Sequence, residues 1–341
     1  MSKIVTFGEI MLRLAPNGFN RFFQNDQMQA TFGGAEANVA VSLANFGESV
    51  AFVSKTPDNA IGQGAIDSLR YFGVDTASVA RGGDRLGIYF LEKGANQRGS
   101  VCIYDRTDSA FAKAEKNDFD WDKIFHNTDW FHFTGITPAL SDNTAEICLE
   151  ACIAAKEKQI TISSDLNFRA KLWSKDKAKK TMTELCKYVD VCIANEEDAK
   201  NVFDIESANT DVYTGRINKS GYEYVARKLK SLFDFSYVAF TLRTSHSATV
   251  NDWAGMLFDG NNCYYSSEYH FDSIVDRVGG GDSFGAGLIY ALRNKFDPQK
   301  AIDFAVAASA LKHSIEGDFN RISVNEVEKL VNGDASGRVQ R

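Results

Sequence analysis

The chain has 341 residues, 44% of them hydrophobic and 24% charged, which is the make-up of a globular protein with a sizeable core and excludes a disordered or fibrous one. At about 100–200 residues per domain, that length makes one large domain or two modest ones. Lys+Arg total 38 against 45 Asp+Glu, a net charge of −7, and no basic run interrupts the sequence, so nucleic acid and anionic membrane are excluded as expected partners. A small anionic ligand held by a few placed arginines stays open. No apolar run reaches the roughly 20 residues of a membrane helix. The N-terminus moves straight into a strand pattern, so no targeting segment is expected and the protein reads as cytoplasmic.

The six cysteines form no CxxC pair and read as reduced core residues. The five histidines (126, 132, 246, 270 and 313) are scattered without metal-ligand spacing, so no metal-binding set of side chains is expected.

In chain order, the first strand is expected at 4–7, ending in Gly8-Glu9. Further strand-like runs lie at 130–133, 160–163, 189–194 and 237–242. Between them Ala145, Cys148, Ala151, Cys152 and Ala155 recur at helical spacing, as do Val225, Leu229 and Leu232. This alternation predicts an α/β fold whose mainly parallel sheet is flanked by helices. Two stretches break the rhythm. Runs at 86–93 and 100–106 flank a turn at 94–99 and predict a β-hairpin; residues 15–31 are neither clearly helical nor buried. Together, 15–31 and 86–107 are expected to form a small β-sheet lid beside a main domain of 1–14, 32–85 and 108–335.

The sharpest local signal is Gly279-Gly280-Gly281-Asp282, entering an apolar helical run. Three glycines at a helix start let backbone N–H groups converge on an anion, with the helix N-terminus adding positive potential. A flexible loop closed by an Asp cap is the plainer alternative. Neither GxxxxGK[ST] nor GxGxxG is present. A second pair, Gly33-Gly34, opens another helix that Gly47 can stop. Asp165-Leu166-Asn167-Phe168-Arg169 follows the strand at 160–163, and ligands of open α/β sheets bind at the carboxyl ends of strands. In the hairpin, Tyr104 and Arg106 share a strand face that Tyr89 can join, a surface suited to a polyhydroxylated, anionic ligand.

The pairing of Gly33-Gly34…Asn38-Val39-Ala40…Gly47 with Gly279-Gly280-Gly281-Asp282 resembles the two signature regions of the ribokinase-like (pfkB-type) carbohydrate kinases, and the resemblance runs from the first strand to about residue 330. Gly8-Glu9-Ile10-Met11-Leu12-Arg13-Leu14, Tyr89, Tyr104-Asp105-Arg106 and Asp165-Leu166-Asn167-Phe168-Arg169 followed by Leu172-Trp173 look most like its 2-keto-3-deoxygluconate kinase branch. The resemblance implies ATP-dependent phosphorylation of that sugar acid, with ATP and Mg²⁺ as cofactors and a monovalent cation admitted. It implies Asp282 as general base and Gly34, Tyr89, Tyr104, Arg106 and Arg169 around the sugar. Asn195, Arg243, Gly279, Gly280 and Gly281 fall on the nucleotide side. Arg106 and Arg169 are both candidates for the substrate carboxylate.

Three positions depart from the family pattern. Asp276-Arg277 stands where Asp-Thr is usual. Asn195-Glu196-Glu197-Asp198 replaces Asn-x-x-Glu, shortening the acidic arm on the magnesium side. Arg243-Thr244-Ser245-His246-Ser247 replaces a glycine-containing nucleotide loop. A neutral-sugar kinase of fructokinase type and a non-catalytic sugar-acid-binding protein are the alternatives to be separated. An apolar outer face on the hairpin (Ile88, Phe90, Ile103) leads to the expectation of a homo-oligomer.

Overall fold

A computed structural model describes residues 2–195, 197–206 and 219–334. Its strands are β1 (Lys3–Phe7), β2 (Met11–Pro16), β3 (Met28–Gly33), β4 (Val50–Thr56), β5 (Val79–Arg81), β6 (Ile88–Glu92), β7 (Val101–Asp105), β8 (Thr128–Thr134), β9 (Thr161–Asp165), β10 (Val191–Ala194), β11 (Tyr237–Ser245), β12 (Asn251–Phe258), β13 (Cys263–Tyr265) and β14 (Tyr269–Phe271). Its helices are α1 (Ala35–Asn45), α2 (Ala60–Arg70), α3 (Trp121–Ile124), α4 (Ile136–Ala139), α5 (Asp142–Glu157), α6 (Lys175–Leu185), α7 (Asp198–Phe203), α8 (Lys219–Phe233), α9 (Gly280–Arg293), α10 (Pro298–Lys312) and α11 (Val324–Val331).

The large sheet runs β13-β12-β11-β10-β9-β8-β1-β4-β5, with β14 paired to β12. It is parallel from β11 to β5 and antiparallel among β11, β12, β13 and β14. Because parallel strands need helical crossovers, both faces are covered and the strands read as near-continuous apolar runs. Alternate residues of β1 therefore serve two cores. Val5 and Phe7 enter one, where Phe7 meets Phe111, Phe119 and Trp121 edge-on with ring centroids 5.2–5.3 Å away; Ile4 enters the other with α1, α9 and α10. Strand order reverses around β1, whose neighbours are β8 and β4. The crevice at such a point, beyond the carboxyl ends of the strands, is where this class of sheet binds ligands.

The second sheet has the order β3-β2-β6-β7. The hairpin expected at 86–106 is β6 and β7; the other two strands, β2 and β3, start at Met11 and end at Gly33, so the small sheet takes in residues on both sides of 15–31 that were expected in the main domain. β3 buries little of its length, which is why its sequence carries no alternating signature. The sheet has a miniature core of Met11, Ala15, Tyr89 and Leu91. Registers Met11↔Gly33, Leu12↔Ile88 and Ile88↔Asp105 place all four chain connections to the main domain at one end.

Candidate active site

A cleft of about 480 Å³ lies between the small sheet and the carboxyl ends of β9, β10 and β11. Gly34, Tyr89, Tyr104, Arg106, Arg169, Asn195, Arg243, Gly279, Gly281 and Asp282 line it. Gly280 does not. It is buried, its N–H donating to the Arg277 carbonyl and its own carbonyl accepting from Ser309 Oγ at 2.7 Å.

At one end, Gly279 caps α9 with φ +82°, a left-handed conformation that favours glycine. A Cβ there would also meet the Asp318 carbonyl oxygen at 2.3 Å. Gly281 has open space around it, and first-turn N–H groups of a helix lack intrahelical partners, so this end is built for an anion. Asp282 sits in that turn, where Asn38 Nδ2 donates to its Oδ2 at 2.7 Å. Burial raises the Asp282 carboxyl to about pH 7, against the lowering effect of the Asn38 hydrogen bond. Arg277 donates to the Ala248 carbonyl at 2.7 Å. Its pKa is lowered, first by burial and then by the neighbouring charge of Arg243. Two guanidiniums thus stand together beside the glycine loop.

At the other end, α1 starts at Gly34, whose missing Cβ would lie 2.0 Å from the Glu9 carbonyl oxygen. Glu36 in the same turn is buried, accepting from Thr134 N, Thr134 Oγ1 and Thr137 Oγ1 at 2.8–2.9 Å, and burial holds its pKa up. Tyr89 and Tyr104 are opposed across β6 and β7, with ring centroids 5.9 Å apart. The Tyr89 hydroxyl donates to Asp318 at 2.6 Å. Tyr104 is exposed, and partial burial of its ring pushes its pKa up to about 12. Arg106 is buried, with Nε donating to Glu9 Oε2 at 2.8 Å and Nη2 bonding to the same oxygen. Ser109 Oγ donates to the other oxygen of Glu9. Arg169 is exposed on the cleft wall, donating to the Phe168 carbonyl at 3.1 Å. Of the two arginines, Arg169 holds its charge without a carboxylate partner among the described residues.

Between the ends, Asp165 lies on the wall and Asp198 behind it. Burial, then the charges of Asp198 and Asp282, raise Asp165 well above the usual carboxylate range. Asp198 accepts from Phe168 N and Asn195 N at 3.0 Å, tying together the segments that follow β9 and β10. Glu196 lies outside the described residues. The small sheet reaches across the cleft at its far end: Lys93 Nζ is 2.6 Å from Glu316 Oε2, and Asn96 O accepts from Ala248 N at 2.7 Å.

Several residues of this arrangement were not among the expected site residues. Asp318 is met only through the fold, while Asn38, Glu9, Arg13 and Arg277 stood inside the motifs but were given no role; the one signal for them as a set was polarity at positions patterned as core. Arg13 lies mid-strand in β2 and is buried, donating to Asp318 Oδ1 at 2.6 Å and Asp276 Oδ2 at 2.5 Å. The histidines also differ from expectation. Pairing of Asp252 with His270 across β12 and β14, and folding of the turn after β11, bring His246 Nε2 to 2.6 Å and His270 Nδ1 to 2.5 Å from the Asp252 carboxylate. Their spacing along the chain hides this because the contact is made by strand pairing.

The pfkB family carbohydrate kinase profile matches residues 1–320. A 2-dehydro-3-deoxygalactonokinase of Haloferax volcanii is 32% identical over 98% of each chain. The crystal structure of a 2-dehydro-3-deoxygluconokinase from Thermotoga maritima superposes with a TM-score of 0.94 at 49% identity, covering 97% of this chain and 98% of that one. A pfkB family carbohydrate kinase from Listeria grayi superposes with a TM-score of 0.89 at 35% identity, covering 97% and 99%.

Proposed function

The chain belongs to the pfkB family of carbohydrate kinases, and from that premise we propose that it transfers the γ-phosphoryl group of ATP to the primary hydroxyl of 2-keto-3-deoxygluconate, giving 2-keto-3-deoxy-6-phosphogluconate. The names of the Haloferax and Thermotoga relatives support this acceptor class. The observation that carries it is the opposition of two groups across one cleft. Asp282 is held by Asn38 at the anion-binding turn of α9, and the Arg169 guanidinium, with no carboxylate partner among the described residues, stands beside the tyrosine face of the small sheet.

Phosphoryl transfer asks a protein mainly for alignment and charge neutralisation, with proton removal a smaller term. In this reading Asp282 accepts the hydroxyl proton as the new O–P bond forms and the bond to the ADP oxygen breaks. Backbone N–H groups at Gly281 and Asp282 stabilise charge on the migrating group, while Gly279 and Gly280 give the turn its shape. Arg243 and Arg277 attract the donor phosphates, and Asn195 holds the adjoining segment. Arg169 meets the substrate carboxylate with both prongs of its fork. Arg106, engaged by Glu9, presents Tyr104 and keeps the small sheet seated; Tyr89 and Gly34 shape the sugar pocket.

Mg²⁺ fits this cleft, since Asp165 and Asp282 line it with Asp198 behind. Burial and then the charges of Asp198 and Asp282 raise the Asp165 pKa, and a divalent charge there would oppose that. When bound it would neutralise charge on the donor phosphates, and Asp165 and Asp198 are the residues that would hold it. The half-buried Ile88 and Phe90 and the exposed Ile103 lie on the outer face of the small sheet, away from the cleft, and support pairing of two copies there.

A coupled kinase assay tests the reading, using 2-keto-3-deoxygluconate, its C4 epimer, gluconate, fructose and ribose with ATP and Mg²⁺. Turnover on the two 2-keto-3-deoxy acids well above that on the neutral sugars is expected. A preference for fructose or ribose overturns the acceptor assignment.

A further inference from the structure

Lys312, at the end of α10, is fully buried behind the glycine loop and takes no part in the chemistry above. Its Nζ donates to the Ile315 carbonyl at 3.1 Å and reaches the Asp276 carbonyl at 3.5 Å. Its stem lies against Gly279, where an added Cβ would meet Lys312 Cε at 3.3 Å. Burial lowers its pKa, opposed by the attraction of Asp276 and Asp318, with the Arg13 charge lowering it further and Asp282 weakly opposing. The backbones around it are knitted together: Val275 N donates to the His313 carbonyl at 2.9 Å and Gly317 N to Asp276 Oδ2 at 3.2 Å. The ammonium therefore sits where the 276–282 loop meets the end of α10, with the Asp276 and Ile315 carbonyls beside it and the carboxylates of Asp276 and Asp318, both paired with Arg13, nearby.

Carbonyl oxygens converging near carboxylates are the surroundings that a dehydrated monovalent cation selects. Here those oxygens are taken by a cation that belongs to the chain. A free ion would have to share the same ligands with a like charge in a dry site, so a monovalent cation does not fit.

We propose that Lys312 is the resident cation of the anion-binding turn: its ammonium holds the 276–282 loop in shape from behind, and phosphoryl transfer in this protein needs no free monovalent cation. Lys312 is thus a positioning residue, acting through Gly279 to Asp282. The proposal rests on the reading that this turn receives the transferred phosphoryl group.

The test compares the wild-type protein with Lys312→Ala and Lys312→Met in potassium, methylammonium and choline chlorides of equal ionic strength. Wild-type kcat should be the same in all three. For Lys312→Ala in choline, kcat should fall by roughly 10²-fold, the scale for losing a preorganised charge partner of a phosphoryl site, while KM for the sugar acid changes little. Methylammonium or potassium should restore about 10-fold or more of that loss. Lys312→Met fills the space without charge, so it should be equally slow and gain nothing from either salt. Stimulation of the wild type by potassium over choline overturns the proposal, and so does a folded Lys312→Ala protein with wild-type turnover in choline. If the alanine variant does not fold, the wild-type salt comparison and the methionine variant decide. The thermal shift given by Mg²⁺ and a non-hydrolysable ATP analogue in the three salts is read in parallel. A wild-type protein inactive on every sugar acid overturns the acceptor reading alone, while salt-independence of that nucleotide shift still decides the cation question.

Discussion

Asp282 is pulled two ways, and its chemistry follows from the balance. Burial favours the neutral acid and Asn38 favours the anion, with burial prevailing and placing the carboxyl at about pH 7. As a base it must be ionised, so kcat/KM should rise along an acidic limb with a midpoint near 7. Asp282→Asn should remove roughly 10²–10⁴-fold of turnover and leave sugar binding in place, as stopped-flow and binding measurements can check. Stability moves the other way. The folded state keeps its proton where an unfolded Asp, with a pKa of about 3.9, has lost it, so this residue withdraws stability as pH climbs from about 4 to 7. The melting-temperature advantage of Asp282→Asn over wild type should therefore widen across that window and level off above it. Arg169 and Arg106 separate by a different readout. Arg169→Ala should lower kcat/KM for the sugar acid about 10–150-fold, the worth of a charged hydrogen bond of about 1.5–3 kcal/mol, and spare a neutral ketose. Arg106→Ala strands Glu9 and should impair both substrates alike. The glycines and Asp282 were legible because few residue types can start a helix around an anion. Asn38 and Glu9 stood in the motifs without a role, because only the folded chain puts them beside Asp282 and Arg106.

At the scale of elements, the small sheet is joined to the main domain at one end, touches it at the other through Lys93–Glu316 and Asn96–Ala248, and between them is held by Arg13 and Tyr89 on Asp276 and Asp318. Its own core of Met11, Ala15, Tyr89 and Leu91 is slight, which places it at the low-stability end of the molecule. Amides of β6 and β7 should therefore exchange early in the unliganded protein and become protected when sugar acid and a non-hydrolysable ATP analogue are both present, as closure excludes water. Unchanged exchange there would make the sheet a fixed wall. The hairpin was readable from its alternating residues and turn. The partner strands were not, since β3 is mostly exposed and β2 finds β6 only across a long stretch of intervening chain.

For the whole molecule, the alternation of apolar runs and helical spacing was enough to place a mainly parallel sheet with helices on both faces, because each strand must bury both of its sides. Where the strand order reverses could not be read from it, and the reversal is what locates the cleft. Net charge was equally silent about the interior: a chain of −7 turns Arg169, Arg243 and Arg277 inward on one hollow. Such a hollow focuses field lines on incoming anions, so kcat/KM for the sugar acid should decline with ionic strength more steeply than kcat. Initial rates in graded sodium chloride check this, and parallel slopes would deny any steering. One residue ties these scales together. The N–H of Ala248 donates to the small sheet at Asn96, and its carbonyl accepts from Arg277 beside the glycine loop. A ligand that shifted either hydrogen bond would pull on the other through Ala248. Thermodynamic linkage then fixes a symmetry: whatever factor the nucleotide applies to the affinity for sugar acid, the sugar acid returns in equal measure to the nucleotide.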